Sequence, residues 1–197
     1  DIVIEGEGIK FAEEMAKVFN VKVRPHKEFA TAKAIYPDGF KVDIATARLE
    51  YYKAPAALPV VEYSSLKLDL HRRDFTINTL AISLSKNTFG QLIDFYGAQR
   101  DIKEKTIRVL HSLSFVEDPT RVFRAIRFEQ RFGFQIGKHA LNLIKNAVRM
   151  DFLSKLKGKR IWAELMLIMA EDEPEKILKR LQGLDLLKFI WPHLVFD

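Results

Sequence analysis

The sequence predicts an α+β protein in which a mixed sheet with helices fills the first half and helices alone fill the second. Three observations carry this. Up to about residue 45, short alternating apolar stretches are interrupted by one amphipathic helix pattern. From about residue 109 strand signals nearly vanish and helical periods follow one another. Over 197 residues, 48% hydrophobic and 29% charged content is the balance of a chain with a core and excludes a disordered polyelectrolyte.

The elements follow in order. Residues 2–5 (IVIE) form a short strand. Ile9, Phe11, Ala12, Met15, Val18 and Phe19 then share one helical face, with Lys10, Glu13, Glu14 and Lys17 on the other. Val21–Arg24 alternates as a strand and ends at Pro25. Ala32–Tyr36 and Phe40–Ala45 are strand-like and joined by the turn Pro37-Asp38-Gly39, completing a β-α-β-β-β run. Residues 51–65 hold two prolines and no period, so they read as a loop. Leu66–Ala81 reads as a helix capped by Ser64 or Ser65, and a strand near Leu92–Phe95 ends in Phe95-Tyr96-Gly97. Helices are predicted at 119–132, 138–149, 159–171 and 173–182, followed by an apolar tail. The change of character places a boundary near residues 108–115, with domains at 1–110, 111–172 and 173–197.

Several function classes drop out. There is no cysteine, so disulfide frameworks, thiolate metal sites and thiol nucleophiles are excluded, and a cytoplasmic location fits. No apolar run approaches the roughly 20 residues that span a bilayer, so no membrane partner is expected. The start at Asp1 lacks the basic region of a signal peptide. Gly6-Glu7-Gly8 is too short for a dinucleotide fingerprint, and there is no Walker loop. Nothing in the pattern indicates an oligomeric state.

The net charge of +6 is unevenly spread. Arg121 to Arg160 holds eleven Lys/Arg and two acids, Glu129 and Asp151, a surplus of nine that leaves the rest of the chain three negative. Such a segment suits phosphate, and a solvated helical surface has the same count.

Three clusters could carry chemistry. Asp1 opens one strand and Asp43 lies inside another; carboxylates on neighbouring strands suit Mg²⁺, although an Asp at a strand end is also a common solvated residue. A charge inside an apolar strand is costly unless paired or ligated; Arg48 and Glu50, two apart, share a face if the strand continues, and a structural salt-bridge ladder has the same pattern. In Asp69-Leu70-His71-Arg72-Arg73-Asp74-Phe75-Thr76-Ile77-Asn78, two arginines bracketed by aspartates form either a self-satisfied ion network or an anion site. In Glu117-Asp118-Pro119-Thr120-Arg121, Pro119 opens a helix with Asp118 as its cap, and Arg121, Arg124, Arg127 and Arg131 fall in a stripe about 120° wide, away from Val122, Phe123 and Ile126. Asp118 and Arg121 present an acceptor beside donors, an array that reads a base edge; a cap with an i,i+3 ion pair fits them equally.

Taken in order, DIVIEG, VDIATARLEYY, RRDFTINTLAI and VEDPTRVFRAIRFEQRFGF resemble the class II tRNA nucleotidyltransferases and bacterial poly(A) polymerases, from residue 1 to about 170. YKAPAALPVVEYSSL resembles the family's flexible loop, and Gly158-Lys159-Arg160-Ile161-Trp162-Ala163-Glu164-Leu165 its last neck motif. The resemblance implies a polymerase-β-like head followed by a helical neck, body and tail. It implies metal ligation by Asp1 and Asp43. It implies nucleotide contacts by Arg72, Arg73, Asp74 and Asn78, and base selection by Asp118 and Arg121 beside Arg124 and Arg127. Arg48, Glu50, Glu117 and Arg160 are supporting residues. The family's Gly-Gly-x-Val-Arg-Asp segment and first metal Asp would precede Asp1, and most of its body and tail would follow residue 180, so the expectation is a piece of a longer protein. The expected activity is template-independent, Mg²⁺-dependent addition of CMP and/or AMP from CTP and ATP to the tRNA 3′ end, with phosphates held by the basic neck. The alternatives are a poly(A) polymerase of the same family, or a non-catalytic module that binds the tRNA acceptor stem.

Overall fold

The computed structural model describes residues 1–51 and 60–191. Among them, the chain up to Arg72 packs as one unit and the chain from Arg73 as another.

The first unit contains β1 (Ile2–Ile4), α1 (Gly8–Phe19), β2 (Lys22–His26), β3 (Thr31–Ile35), β4 (Lys41–Thr46), β5 (Arg48–Tyr51), β6 (Val60–Tyr63) and α2 (Leu66–His71). Its main sheet has the order β1-β4-β3-β2, with β1 parallel to β4 and the other pairs antiparallel. The predicted β-α-β-β-β run is present. Alternation turns Ala32, Ala34 and Ile44 inward, where they meet Ala12 and Val21. Alanines at these positions let α1 lie close to the sheet. At its start the contact is closer still: the Gly8 N–H donates to Thr46 Oγ1 at 3.0 Å, and a Cβ on residue 8 would stand 2.9 Å from the Thr46 backbone nitrogen. Pro25 is accommodated because β2 is an edge strand, where a missing N–H breaks no ladder.

Three expectations change here. Phe11, Val18 and Phe19 are exposed, because only the stripe through Ala12, Ile9 and Met15 reaches the sheet. Val60-Val61-Glu62-Tyr63 is a strand, not loop, pairing with β5 in the register Arg48↔Tyr63 and Glu50↔Val61; its β-branched run outweighs the neighbouring prolines. The rest of the loop expectation, residues 52–59, lies outside the described residues. Third, α2 stops at His71 and does not run to Ala81. The Asp74 carboxylate accepts the Phe75 N–H at 2.9 Å and the Asn78 side-chain amide at 2.8 Å, which competes with helix. Phe75 is extended and bridges Val109, and only a 3₁₀ turn, Thr76–Asn78, follows.

The second unit contains β7 (Ala81–Ile82), β8 (Leu92–Ile93), α3 (Ala98–Lys103), β9 (Thr106–Ile107), α4 (Ser114–Glu117), α5 (Thr120–Phe132), β10 (Gln135–Ile136), α6 (Lys138–Arg149), α7 (Gly158–Met169) and α8 (Pro174–Gly183). The four long helices lie where the periodicity predicts them. The helical half is interrupted once, by β10 pairing parallel with β9, a two-residue match too short to leave a period. Helix α5 packs against α7 and α8, and Val122, Phe123 and Ile126 enter a core with Phe115, Ile144, Ile168 and Leu181. Phe75 and Ile107 are buried in this same core, so packing joins residues from Arg73 onward to the helices, whereas composition shifts near residues 108–115. Leu186 and Leu187 of the apolar tail are buried, and residues 192–197 lie outside the described residues. Among the described residues no helix is long and apolar enough to cross a membrane.

Candidate functional site

In the first unit, pairing of Ile2 with Ile44 in parallel strands sets Asp1 and Asp43 beside each other, one residue before the registered pairs. Ile2, Val42 and Ile44 pack toward the core, so period two turns Asp43 to the opposite, exposed face. There Lys33, its register partner on β3, sits 3.0 Å from Asp43 Oδ1. The charge inside an apolar strand is therefore accommodated by solvent and one ammonium. Two oxygen donors side by side suit a hard cation such as Mg²⁺; among the described residues no group of three His, Asp or Glu gathers to hold a metal.

Arg48, Glu50 and Arg72 are brought together by the fold as a salt-bridge ladder. Glu50 Oε1 accepts from Arg48 Nε and from Arg72 Nη1, both at 3.0 Å. Arg72 also donates to Asp69 Oδ1 from Nε at 3.1 Å and from Nη2 at 2.7 Å. Arg72 thus stitches α2 to β5. Arg73, beyond the helix end, donates to the Asn78 carbonyl at 3.2 Å. Asp74 is engaged on both oxygens: Oδ2 accepts Arg124 Nε at 2.8 Å and Nη2 at 2.6 Å, while Oδ1 holds Phe75 and Asn78.

The second cluster is built around the start of α5. The helix starts one residue later than predicted, with Pro119 at the cap position and Asp118 just before it; Asp118 still reaches the first turn, its Oδ1 accepting the Thr120 N–H at 3.0 Å and the Thr120 hydroxyl at 2.6 Å. Its ion pair is not with Arg121. Arg160 Nη2, from α7, lies 2.8 Å from the same Oδ1. Arg121 is buried and donates from Nη1 to Ser114 Oγ at 2.9 Å. Glu117 Oε2 lies 3.4 Å from His111 Nε2.

The arginine stripe of α5 is not a solvated face. Arg127, 5% exposed, pairs with Glu171 at 3.1 Å; Arg131 pairs with the same carboxylate at 2.6 Å. Arg124 pairs with Asp74, and Glu164 lies 3.8 Å from both Arg124 and Arg127. The acids missing from the helix itself come from elsewhere in the unit. The basic surplus facing water is six side chains, Lys138, Lys145, Arg149, Lys155, Lys157 and Lys159, none with an acidic partner among the described residues.

Within this network two carboxyls shift in opposite directions. Burial pushes Glu164 up against the pull of Arg124 and Arg127; its Oε2 and Arg127 Nε make no hydrogen bond. Burial also pushes on Glu171, but hydrogen bonds from Arg131 and Arg127 outweigh it and hold the group below its ordinary value. A carboxyl lowered on folding adds stability above its unfolded pKa and loses it as pH falls through the folded one. Glu171→Gln is therefore expected to be less stable than the parent at neutral pH. The difference should close under acid, below the ordinary carboxylate range, as read from urea midpoints across pH.

The poly A polymerase head domain family matches residues 1–108, more than half of the chain. The chain belongs to that family. The probable RNA- and SrmB-binding site of polymerase A matches residues 133–196, the stretch that holds these six exposed basic residues. An A-adding tRNA nucleotidyltransferase of Geobacter sulfurreducens is 62% identical over 99% of this chain and 22% of its own length. A solved CCA-adding enzyme in an apo form is 46% identical with a TM-score of 0.94, covering 99% of this chain and 46% of that one. A CCA-adding enzyme in complex with ATP is 44% identical with a TM-score of 0.87, over 99% and 44% respectively. The chain thus spans from about a fifth to under half of these relatives. The α+β class and the family resemblance read from the motifs agree with these matches.

Four residues that partner the candidate site residues went unread in the sequence. Thr120 and Ser114 hold Asp118 and Arg121; Lys33 faces Asp43; Glu171 closes the arginine stripe. Only Thr120 left a local signal, since Asp-x-Thr is an Asx-turn spacing. The others act across distances that no local pattern records.

Proposed function

We propose that the intact protein is a template-independent RNA nucleotidyltransferase that transfers AMP from ATP to the 3′ end of tRNA and releases pyrophosphate, in the cytoplasm. The observation that carries it is the split carboxylate of Asp118. Three donors converge on Oδ1, and among the described residues none reaches Oδ2. Adenine and cytosine both present an amino N–H beside an unprotonated ring nitrogen, whereas guanine and uracil present the reverse. An accepting Asp118 Oδ2 and a donating Arg121 match the first pattern and oppose the second. This supports base choice without a template. The 62% identical A-adding relative supports AMP as the nucleotide added; the CCA-adding neighbours favour a second reading, in which CTP is also used.

Asp1 and Asp43 fit Mg²⁺, which when bound would lower the pKa of the RNA 3′-hydroxyl and neutralise developing charge on the phosphates. The chain's own part is to position and to select. Lys33 orients the Asp43 carboxylate, and Asp118 and Arg121 hold the base edge. These lysines supply charge toward the phosphates of the tRNA acceptor stem, a role that the ion-paired arginines of α5 leave to them. The 3′-oxygen attacks the α-phosphorus in line, and pyrophosphate departs.

Arg121→Ala in the full-length protein is expected to lower the preference for ATP over GTP by about tenfold to a hundredfold, the range for losing a hydrogen bond that reads a base. Single-turnover incorporation with each nucleotide measures it. A change in melting temperature alone, with selectivity intact, would assign Arg121 to packing. Sequencing the product on tRNA ending in CC and on tRNA lacking all three nucleotides separates A addition from CCA addition.

A further inference from the structure

We infer that two buried hydroxyls, Thr120 and Ser114, are positioning residues that set nucleotide selectivity by fixing the orientation of Asp118 and Arg121. The inference rests on the base-reading assignment above. A carboxylate next to a helix start can turn about its Cβ–Cγ bond and tilt its outer oxygen out of the plane of a base. At Asp118 that rotation is blocked on one side: Thr120 donates to Oδ1 from both its N–H, at 3.0 Å, and its hydroxyl, at 2.6 Å. Arg160 Nη2 closes on the same oxygen at 2.8 Å and lies 3.5 Å from the Thr120 hydroxyl. A carboxylate oxygen with three donors is saturated, so Oδ2 is the oxygen presented outward. Asp118 retains 20% exposure, enough for that oxygen to meet a ligand.

Arg121 is set in the same way from the other side. Ser114, fully buried at the first position of α4, accepts Arg121 Nη1 at 2.9 Å. The guanidinium is planar, so the Ser114 contact constrains the plane of the whole fork. Both residues are buried, and each neutral hydroxyl is engaged with its charged neighbour. Their partners are the two side chains whose relative orientation decides between an amino–imine edge and its reverse. Loss of either hydroxyl would leave donor and acceptor in place but let them turn, so binding would survive while discrimination falls.

The test is the ratio of single-turnover kcat/KM for ATP and GTP in the full-length protein. Thr120→Val keeps the shape and removes the hydroxyl; Thr120→Ser restores it; Ser114→Ala acts on Arg121 and leaves the α5 cap intact. The Val and Ala variants should each lower the ratio about tenfold, and Ser should return it to within about twofold of the parent, since a charge-assisted hydrogen bond is at stake. A purely structural role would lower the melting temperature and slow both nucleotides equally, and that result from Ser114→Ala would overturn the inference even if Thr120→Val fails to fold. Asp118→Ala runs in parallel: if it leaves the ratio untouched, the base-reading assignment itself fails. If it collapses the ratio while Thr120→Val and Ser114→Ala do not, only the positioning role is refuted.

Discussion

Asp43→Ala in the full-length protein is expected to abolish incorporation of AMP while tRNA binding survives. The rate should fall by about a thousandfold or more, since a metal ion contributes several kcal/mol of charge stabilisation and each 1.36 kcal/mol is tenfold. The fold should tolerate the change. Asp43 points away from the core, which its neighbours Val42 and Ile44 serve, and its one ion pair is the exposed contact to Lys33. Pairs of that kind contribute about 0–1 kcal/mol. Labelled-nucleotide incorporation, a gel-shift titration with tRNA and thermal unfolding form the necessary set. Asp43→Asn sharpens it, because size is kept and charge is lost. Retained incorporation in either variant would remove Asp43 from the metal site.

Asp74→Ala is expected to act through stability first. Its carboxylate holds the Arg124 guanidinium by two hydrogen bonds, the Phe75 N–H and the Asn78 amide. Removing it strands a largely buried cation and frees the turn that stops α2. Breaking a buried pair by deleting one partner costs about 3–5 kcal/mol; because 31% of the Arg124 side chain is exposed, about 2–3 kcal/mol is the expected loss here. Burial disfavours the Arg124 charge, yet Asp74 outweighs it and holds the group protonated above its ordinary value, so the cation does not escape by losing its proton. Urea unfolding of Asp74→Ala, Arg124→Met and the double variant reads this directly. The double variant should recover part of the loss. A stable Asp74→Ala protein with weakened ATP binding would instead favour the direct ribose or phosphate contact that the family resemblance implies.

The comparison between these two aspartates shows what the sequence could reveal. Strand and helix periods located α1, the main sheet and the four long helices, because each of those patterns is local and repeated. The family motifs, read as strings, pointed to both carboxylates and to Asp118 and Arg121, the pair proposed to read the base. What stayed hidden depends on partners far along the chain. Arg124 looks like a phosphate ligand on a bare helix, and only the fold brings Asp74 and Glu164 to it. The run from Leu66 to Ala81 has enough apolar residues for one helix, yet a single carboxylate bonding its own neighbours ends that helix early. The surplus of nine positive charges was real as a count, but its most regular part, the arginine stripe, is neutralised internally, and the lysines that carry no visible pattern are the ones left facing water.

The parallel pairing of β1 with β4 has a kinetic consequence. Strands β2, β3 and β4 join neighbours through short turns, whereas Ile2 must find Ile44 across about forty residues. Loop closure of that span carries the larger entropic penalty, so hairpin contacts form ahead of it and β1 docks late. Asp1 and Asp43 become neighbours only at that event. During synthesis Asp1 therefore waits for β4 to emerge, and the protein acquires this pair of carboxylates as the closing act of sheet assembly.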